Sequence, residues 1–181
     1  MRRIIFLITF LFISLCAFSQ ISRTFLGMTL GVSTKAQCEQ KLRNMGVLRV
    51  NTEDELGFGT SECSVQFAGK EWHMLRLHFY KNKLYEIIFE MKHYWDQDIE
   101  MEIANTTITP NVYNKYRRYK QKTYDSDLKT CDKYSDGKTQ IYVLYQERTQ
   151  KKDPYFAISY SDVYRSNKVF DEYNSSISND L

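Results

Sequence analysis

The chain has 181 residues, of which 43% are hydrophobic and 15% aromatic, with two prolines, seven glycines and a formal net charge of +3. Those totals exclude a disordered chain and a proline-rich linker. They also leave too little positive charge for a general polyanion binder.

Met1 to Ser19 reads as a secretory signal peptide. Arg2 and Arg3 form a basic head, Ile4 to Leu15 is an apolar run, and Ala17-Phe18-Ser19 places small residues at both ends of a cleavage tripeptide. The run is shorter than the roughly 20 residues that a membrane-spanning helix needs. Cleavage before Gln20 would leave a chain of formal charge +1, 23 Lys and Arg against 22 Asp and Glu, in a periplasmic or extracellular compartment. Cys16 falls inside the leader, and Leu15 stands where a bacterial lipoprotein signal wants Gly or Ala. Cys38, Cys63 and Cys131 then allow one internal disulfide and one leftover thiol, with three possible pairings. Three buried, unpaired thiols are the plainer alternative.

After an extended lead-in over Phe25 to Gly31, Thr34-x-x-Gln37 fits a capping box and Gly46 a helix stop, which predicts a helix over about 34–45. Val47 to Val50 reads as a strand. Cys63 to Ala68, Trp72 to Tyr80 and Lys83 to Met91 read as three antiparallel strands, the last two joined through a two-residue Lys81-Asn82 turn. That turn pairs His73 with Glu90, Leu75 with Ile88, Leu77 with Glu86 and Phe79 with Leu84. On the other face it pairs Trp72 with Met91, Met74 with Phe89, Arg76 with Ile87 and His78 with Tyr85. Both faces then carry apolar side chains, so something besides one helix must cover the second face.

Asp96 to Thr109 fits strand and helix equally. Thr109-Pro110 makes a good helix start and predicts a second helix over about 110–123. Leu128 to Tyr134, an Asp136-Gly137 turn, Thr139 to Glu147 and Tyr155 to Val163 complete a second meander, and residues 168–181 read as a polar flexible tail. The expectation is an α+β domain over 20–167, with helices on antiparallel meanders and two subunits, 20–95 and 96–167, of helix plus three strands.

The stretch from Leu26-Gly27-Met28-Thr29 through Ser33, Thr34, Leu42 and Gly46, followed by antiparallel strands, resembles the opening of small exported bacterial domains of the BamE (SmpA/OmlA) and beta-lactamase-inhibitor-protein type. It also looks like uncharacterised secreted proteins of Bacteroides-like bacteria, in the Phe67-Ala68-Gly69-Lys70-Glu71-Trp72 turn and the hairpin around Lys81-Asn82. The resemblance covers about residues 24–91. It implies a non-enzymatic envelope or inhibitor-like binding module. The chain departs from the pattern in lacking a good lipobox and a Leu-Gly-x-Pro helix exit.

No Cys-x-x-Cys, His-Glu-x-x-His, Gly-x-Ser-x-Gly or phosphate-loop motif occurs. Glu71, His73 and Glu90 could make a metal half-site or an acid–base pair, but a cross-strand polar pair is the simpler reading. The expectation is therefore no catalytic residue, no metal and no cofactor. Between Tyr113 and Tyr124, tyrosines alternate with Lys115, Arg117, Arg118, Lys120 and Lys122. Export argues against nucleic acid there. Helical spacing places Val112, Tyr113, Tyr116, Tyr119 and Tyr124 within about 140°, as on a buried stripe. One of two binding sites is thus expected. The first is an aromatic sheet face for a protein partner, carried by Trp72, Met74, Tyr85, Ile87 and Phe89. The alternative is an acidic glycan or lipid head group held by Tyr113, Arg117, Arg118 and Lys122.

Overall fold

The computed structural model describes residues 20–47, 49–51, 56–58, 65–92, 98–126, 129–149 and 153–179. The expected leader and Cys63 lie outside the described residues.

A short hairpin, β1 (Thr24–Phe25) and β2 (Met28–Thr29), leads into helix α1 (Lys35–Asn44). Both ends of α1 are written locally. The Thr34 hydroxyl accepts from the Gln37 N–H at 3.3 Å, and the Gln37 side-chain oxygen accepts from the Thr34 N–H at 2.9 Å, a closed capping box. At the other end Gly46 adopts φ +75°, which lets the Val47 N–H reach back to the Leu42 carbonyl at 3.0 Å. Cys38 and Leu42 face inward and are fully buried.

Strands β3 (Arg49–Asn51), β4 (Leu56–Phe58), β7 (Met74–Tyr80) and β8 (Lys83–Lys92) form one half of an antiparallel sheet, with a small hairpin of β5 (Val65–Phe67) and β6 (Lys70–Trp72) beside it. Helix α2 (Asp98–Tyr116) and a 3-10 turn (Arg117–Tyr119) then lead to β9 (Lys120–Ser126), β10 (Lys129–Ser135), β11 (Thr139–Gln146) and β12 (Tyr155–Asp162). Among the described residues the sheet has eight strands in the order β3-β4-β7-β8-β12-β11-β10-β9. The last strand of each half meets the other's at the centre, so the strand order reads alike from both edges. The fold is α+β with antiparallel sheets, and each half supplies four strands to the sheet rather than three.

Three expectations change. The Lys81-Asn82 turn forms, with φ +48° and +61°, but the register shifts between His78 and Phe79. Phe79 pairs Leu84 while His78 pairs Glu86, leaving Tyr85 as the extra residue of a bulge. One skipped residue moves every later side chain to the other face. Leu75 therefore pairs Phe89 and Leu77 pairs Ile87, while Met74, Arg76 and His78 pair Glu90, Ile88 and Glu86. The hairpin thereby has one apolar and one largely polar face.

The helix expected over 110–123 spans Asp98–Tyr116 instead, with Pro110 in its interior. Ile103 is half exposed, whereas Met101, Ala104, Ile108, Val112 and Tyr116 recur at helical spacing and are buried against the sheet. That burial, which contributes roughly 1.5–3 kcal/mol per large apolar side chain, offsets the hydrogen bond that Pro110 cannot donate. The expected polar tail is helical as well: α3 (Val163–Asn179) follows β12 directly. Asp162 starts it, accepting from the Arg165 N–H at 2.9 Å. The same buried carboxylate pairs with Arg23 and lies 3.3 Å from an Arg165 guanidinium nitrogen, tying the N-terminal segment to the last strand.

The core lies on one side of the sheet. Leu75, Leu77, Ile87 and Phe89 from the first half meet Ile141, Val143, Phe156, Ile158 and Tyr160 from the second, beneath α1 and α2.

Candidate functional site

Alternation along the central strands gives the sheet a second, outer face that carries neither α1 nor α2. Across its middle run Ile88, Ala157, Leu144 and Cys131, brought side by side by the pairings Ile88–Ser159, Glu90–Ala157, Leu144–Ala157 and Cys131–Leu144. These residues floor a hollow of about 520 Å³, walled by Tyr124, Tyr142 and Tyr155. Such a volume lies in the ordinary range for ligand and anchor pockets.

Charge on this face is unevenly compensated. Glu90, with a side chain only 4% exposed, takes the Arg76 guanidinium at 3.0 Å and the Tyr155 hydroxyl at 2.6 Å. Burial and then this hydrogen bond to Glu90 push the Tyr155 phenol well above its usual range. Glu86 takes the His78 Nδ1 at 2.9 Å. The acids of the β7–β8 side are thus satisfied within the molecule.

The β9–β10 side differs. Lys122 and Lys133 stand directly opposite each other, an arrangement that costs stability in an antiparallel pair. Each rests over a phenol ring, Lys122 over Tyr124 at 4.4 Å and Lys133 over Tyr142 at 5.5 Å. Lys129 lies at the rim of the hollow. Among the described residues none of these three ammonium groups has a carboxylate within ion-pair distance. Asp132 is different, because it is buried on the core side. Burial alone would raise its carboxyl, but hydrogen bonds from Thr123, Lys120 and Tyr134 and the Lys120 charge outweigh that and hold it below the usual value.

The residues expected to form the protein-binding face are divided by the bulge. Trp72, Ile87 and Phe89 are fully buried in the core, and the Trp72 indole donates to the Phe67 carbonyl at 2.9 Å. Met74 lies on the outer face opposite Glu90, and Tyr85 is the bulged residue, its ring 5.9 Å from that of His78. Ile88, Leu144 and Tyr155 were missed. The outward parity of Leu144 and Tyr155 was legible from alternation alone, whereas that of Ile88 depends on the bulge.

The alternative anionic site is dispersed. Tyr113 is on α2, Arg117 and Arg118 are in the 3-10 turn, and Lys122 is on β9, so the single tyrosine stripe breaks after Tyr116. Arg118 stacks over Tyr119 at 4.9 Å, and Lys120 is committed to Asp132 at 2.9 Å. His73 does not meet Glu90; its Nε2 lies 3.9 Å from Glu100 on α2. Cys38 is buried in the core and Cys131 floors the outer hollow, so the sheet separates these two thiols and both are free.

Among the described residues no helix is long and apolar enough to cross a membrane. No protein-family model, curated protein or solved structure matches the chain.

Proposed function

We propose that the chain is an exported, non-enzymatic protein-binding module that receives its partner on the outer face of the eight-stranded sheet. The observation that carries this reading is the outer hollow itself. It joins an apolar floor to tyrosine walls, beside three lysines that no described carboxylate neutralises. Tyrosine offers contact area on a ring with few rotatable bonds and a polar edge, which suits a protein interface. A partner presenting an apolar anchor flanked by carboxylates would fill the floor and relieve the Lys122–Lys133 repulsion. The leader-like Met1 to Ser19 and the resemblance over residues 24–91 support export and a binding role.

The reading is tested by placing a photo-crosslinking amino acid at Tyr142, and separately at exposed Gln40 on α1, in the organism that makes the protein. The expected result is one discrete protein adduct from position 142, lost when Lys129 and Lys133 are both changed to Glu, and none from position 40. Equal labelling from both positions, or none from position 142, overturns it. Export is checked by N-terminal sequencing of the mature protein, with Gln20 expected first.

A further inference from the structure

A second hollow, of about 310 Å³, lies on the core side between α2 and an aromatic wall. The wall is built by Phe25, Phe67, Trp72 and Tyr160, from the four strands β1, β5, β6 and β12. Phe25 lies 4.1 Å from Tyr160 between ring centroids, and Phe67 meets Tyr160 edge-on at 6.0 Å. Val112 and Tyr116 of α2 close the opposite side. Exposed Ser22, Thr24 and Asn111 line its mouth, so the hollow is a cleft open to solvent.

Three polar features grade this hollow. Tyr116 and Tyr160 both line it and are only 6% and 5% exposed. A phenol in such a setting ordinarily takes a hydrogen-bond partner, from protein, water or ligand. Among the described residues no protein group pairs with either hydroxyl, and neither oxygen is among the fully buried unpaired atoms, so both are open to water or a ligand in the hollow. Lys115 stands at the mouth with its ammonium 5.2 Å from the Tyr116 ring. No described carboxylate reaches it.

We infer that this hollow binds a small hydroxylated aromatic carboxylate. The ligand's ring lies between the Phe25–Tyr160 wall and Val112, its carboxylate meets Lys115, and its hydroxyl pairs with Tyr116 and Tyr160. The aromatic wall fits a flat ring. A long acyl chain fits less well, because its tail has no polar atom for the two phenols and the volume is at the low end for ligand sites. This site is on the opposite side of the sheet from the outer hollow and owes nothing to the reading of that face.

The test uses the full mature chain and 4-hydroxycinnamate as probe, followed by calorimetry and by methyl NMR of Ile108, Val112 and Ile158. Binding should shift those methyl signals. It should weaken roughly tenfold for the primary amide of the probe, for cinnamate without the hydroxyl, and for Lys115→Gln with the intact probe, the worth of one hydrogen bond or ion pair. Lys115 is exposed, so this variant leaves the core intact. The inference is overturned by no shift at millimolar probe, by equal affinity for acid and amide, by tighter binding of decanoate, or by shifts confined to Ile88 and Leu144.

Discussion

The ion pair beneath the outer face gives a quantitative test of how that face is held. Glu90 is 4% exposed and Arg76 26% exposed at the side chain, with a nitrogen–oxygen distance of 3.0 Å. At that separation two unit charges attract by about 5.5 kcal/mol at an effective dielectric near 20, and the cost of taking both from water cancels most of it. Removing the arginine alone, which strands the buried carboxylate, is therefore more costly than removing the pair whole. Arg76→Met leaves a buried carboxylate with the Tyr155 hydroxyl as its remaining close donor. The expected loss is about 3 kcal/mol, the low end for a broken buried pair, because water can reach the Arg76 position. Glu90→Gln keeps an acceptor for Tyr155 and removes the charge, for a loss of about 1–2 kcal/mol. The double variant should lose only about 2 kcal/mol in all, which makes the coupling between the two sites roughly 2–3 kcal/mol. Urea unfolding at pH 7, followed by circular dichroism with a common m value, measures all four corners of the cycle. Losses that add to within about 0.5 kcal/mol would refute the argument, since independent sites behave that way.

Two further outcomes follow from buried groups elsewhere. Gly31 has φ +78°, and a Cβ there would stand 2.7 Å from an Arg165 guanidinium nitrogen and 3.0 Å from the Asp162 carboxylate. Gly69 has φ +74° with nothing within 4 Å. Both Gly→Ala changes carry the backbone cost of about 1 kcal/mol, but Gly31→Ala also displaces the Arg23–Asp162–Arg165 cluster and should cost about 3 kcal/mol. Thermal melting separates them, and equal shifts in Tm would mean that the cluster contributes nothing. Burial raises the Cys38 thiol from 9.0 to about 11, against the opposing pull of Lys41. A raised folded pKa means that the unfolded chain ionises first. The contribution to stability is then whole below pH 9 and lost as pH rises towards 11. Cys38→Ala should flatten the fall in stability between those limits, by at most about 1.4 kcal/mol per pH unit. An unchanged slope in urea titrations at pH 9 to 11 would show that the thiol does not ionise on unfolding.

Elements whose signals are local are legible in the sequence. Thr34, Gln37 and Gly46 delimit α1 because each cap closes hydrogen bonds within a few residues. Asp136-Gly137 sets the β10–β11 hairpin because the Asp136 carboxylate accepts from the Lys138 and Thr139 N–H groups at 2.9 and 2.8 Å. With the meander of β10 to β12, these signals were enough for the α+β class. The tertiary structure decided what depends on distant partners. Pro110 sits inside α2 because the sheet buries Ile108 and Val112 on either side of it, an energy absent from any local pattern. Tyr85 is a bulge because skipping it brings Ile87 and Phe89 over Leu75 and Leu77 and turns Arg76 and Glu90 outward together. The side-chain period of a strand is two, so that one residue decided which face is core and which is outer. The β8–β12 pairing then built the outer hollow from strands about seventy residues apart, a juxtaposition that periodicity cannot encode.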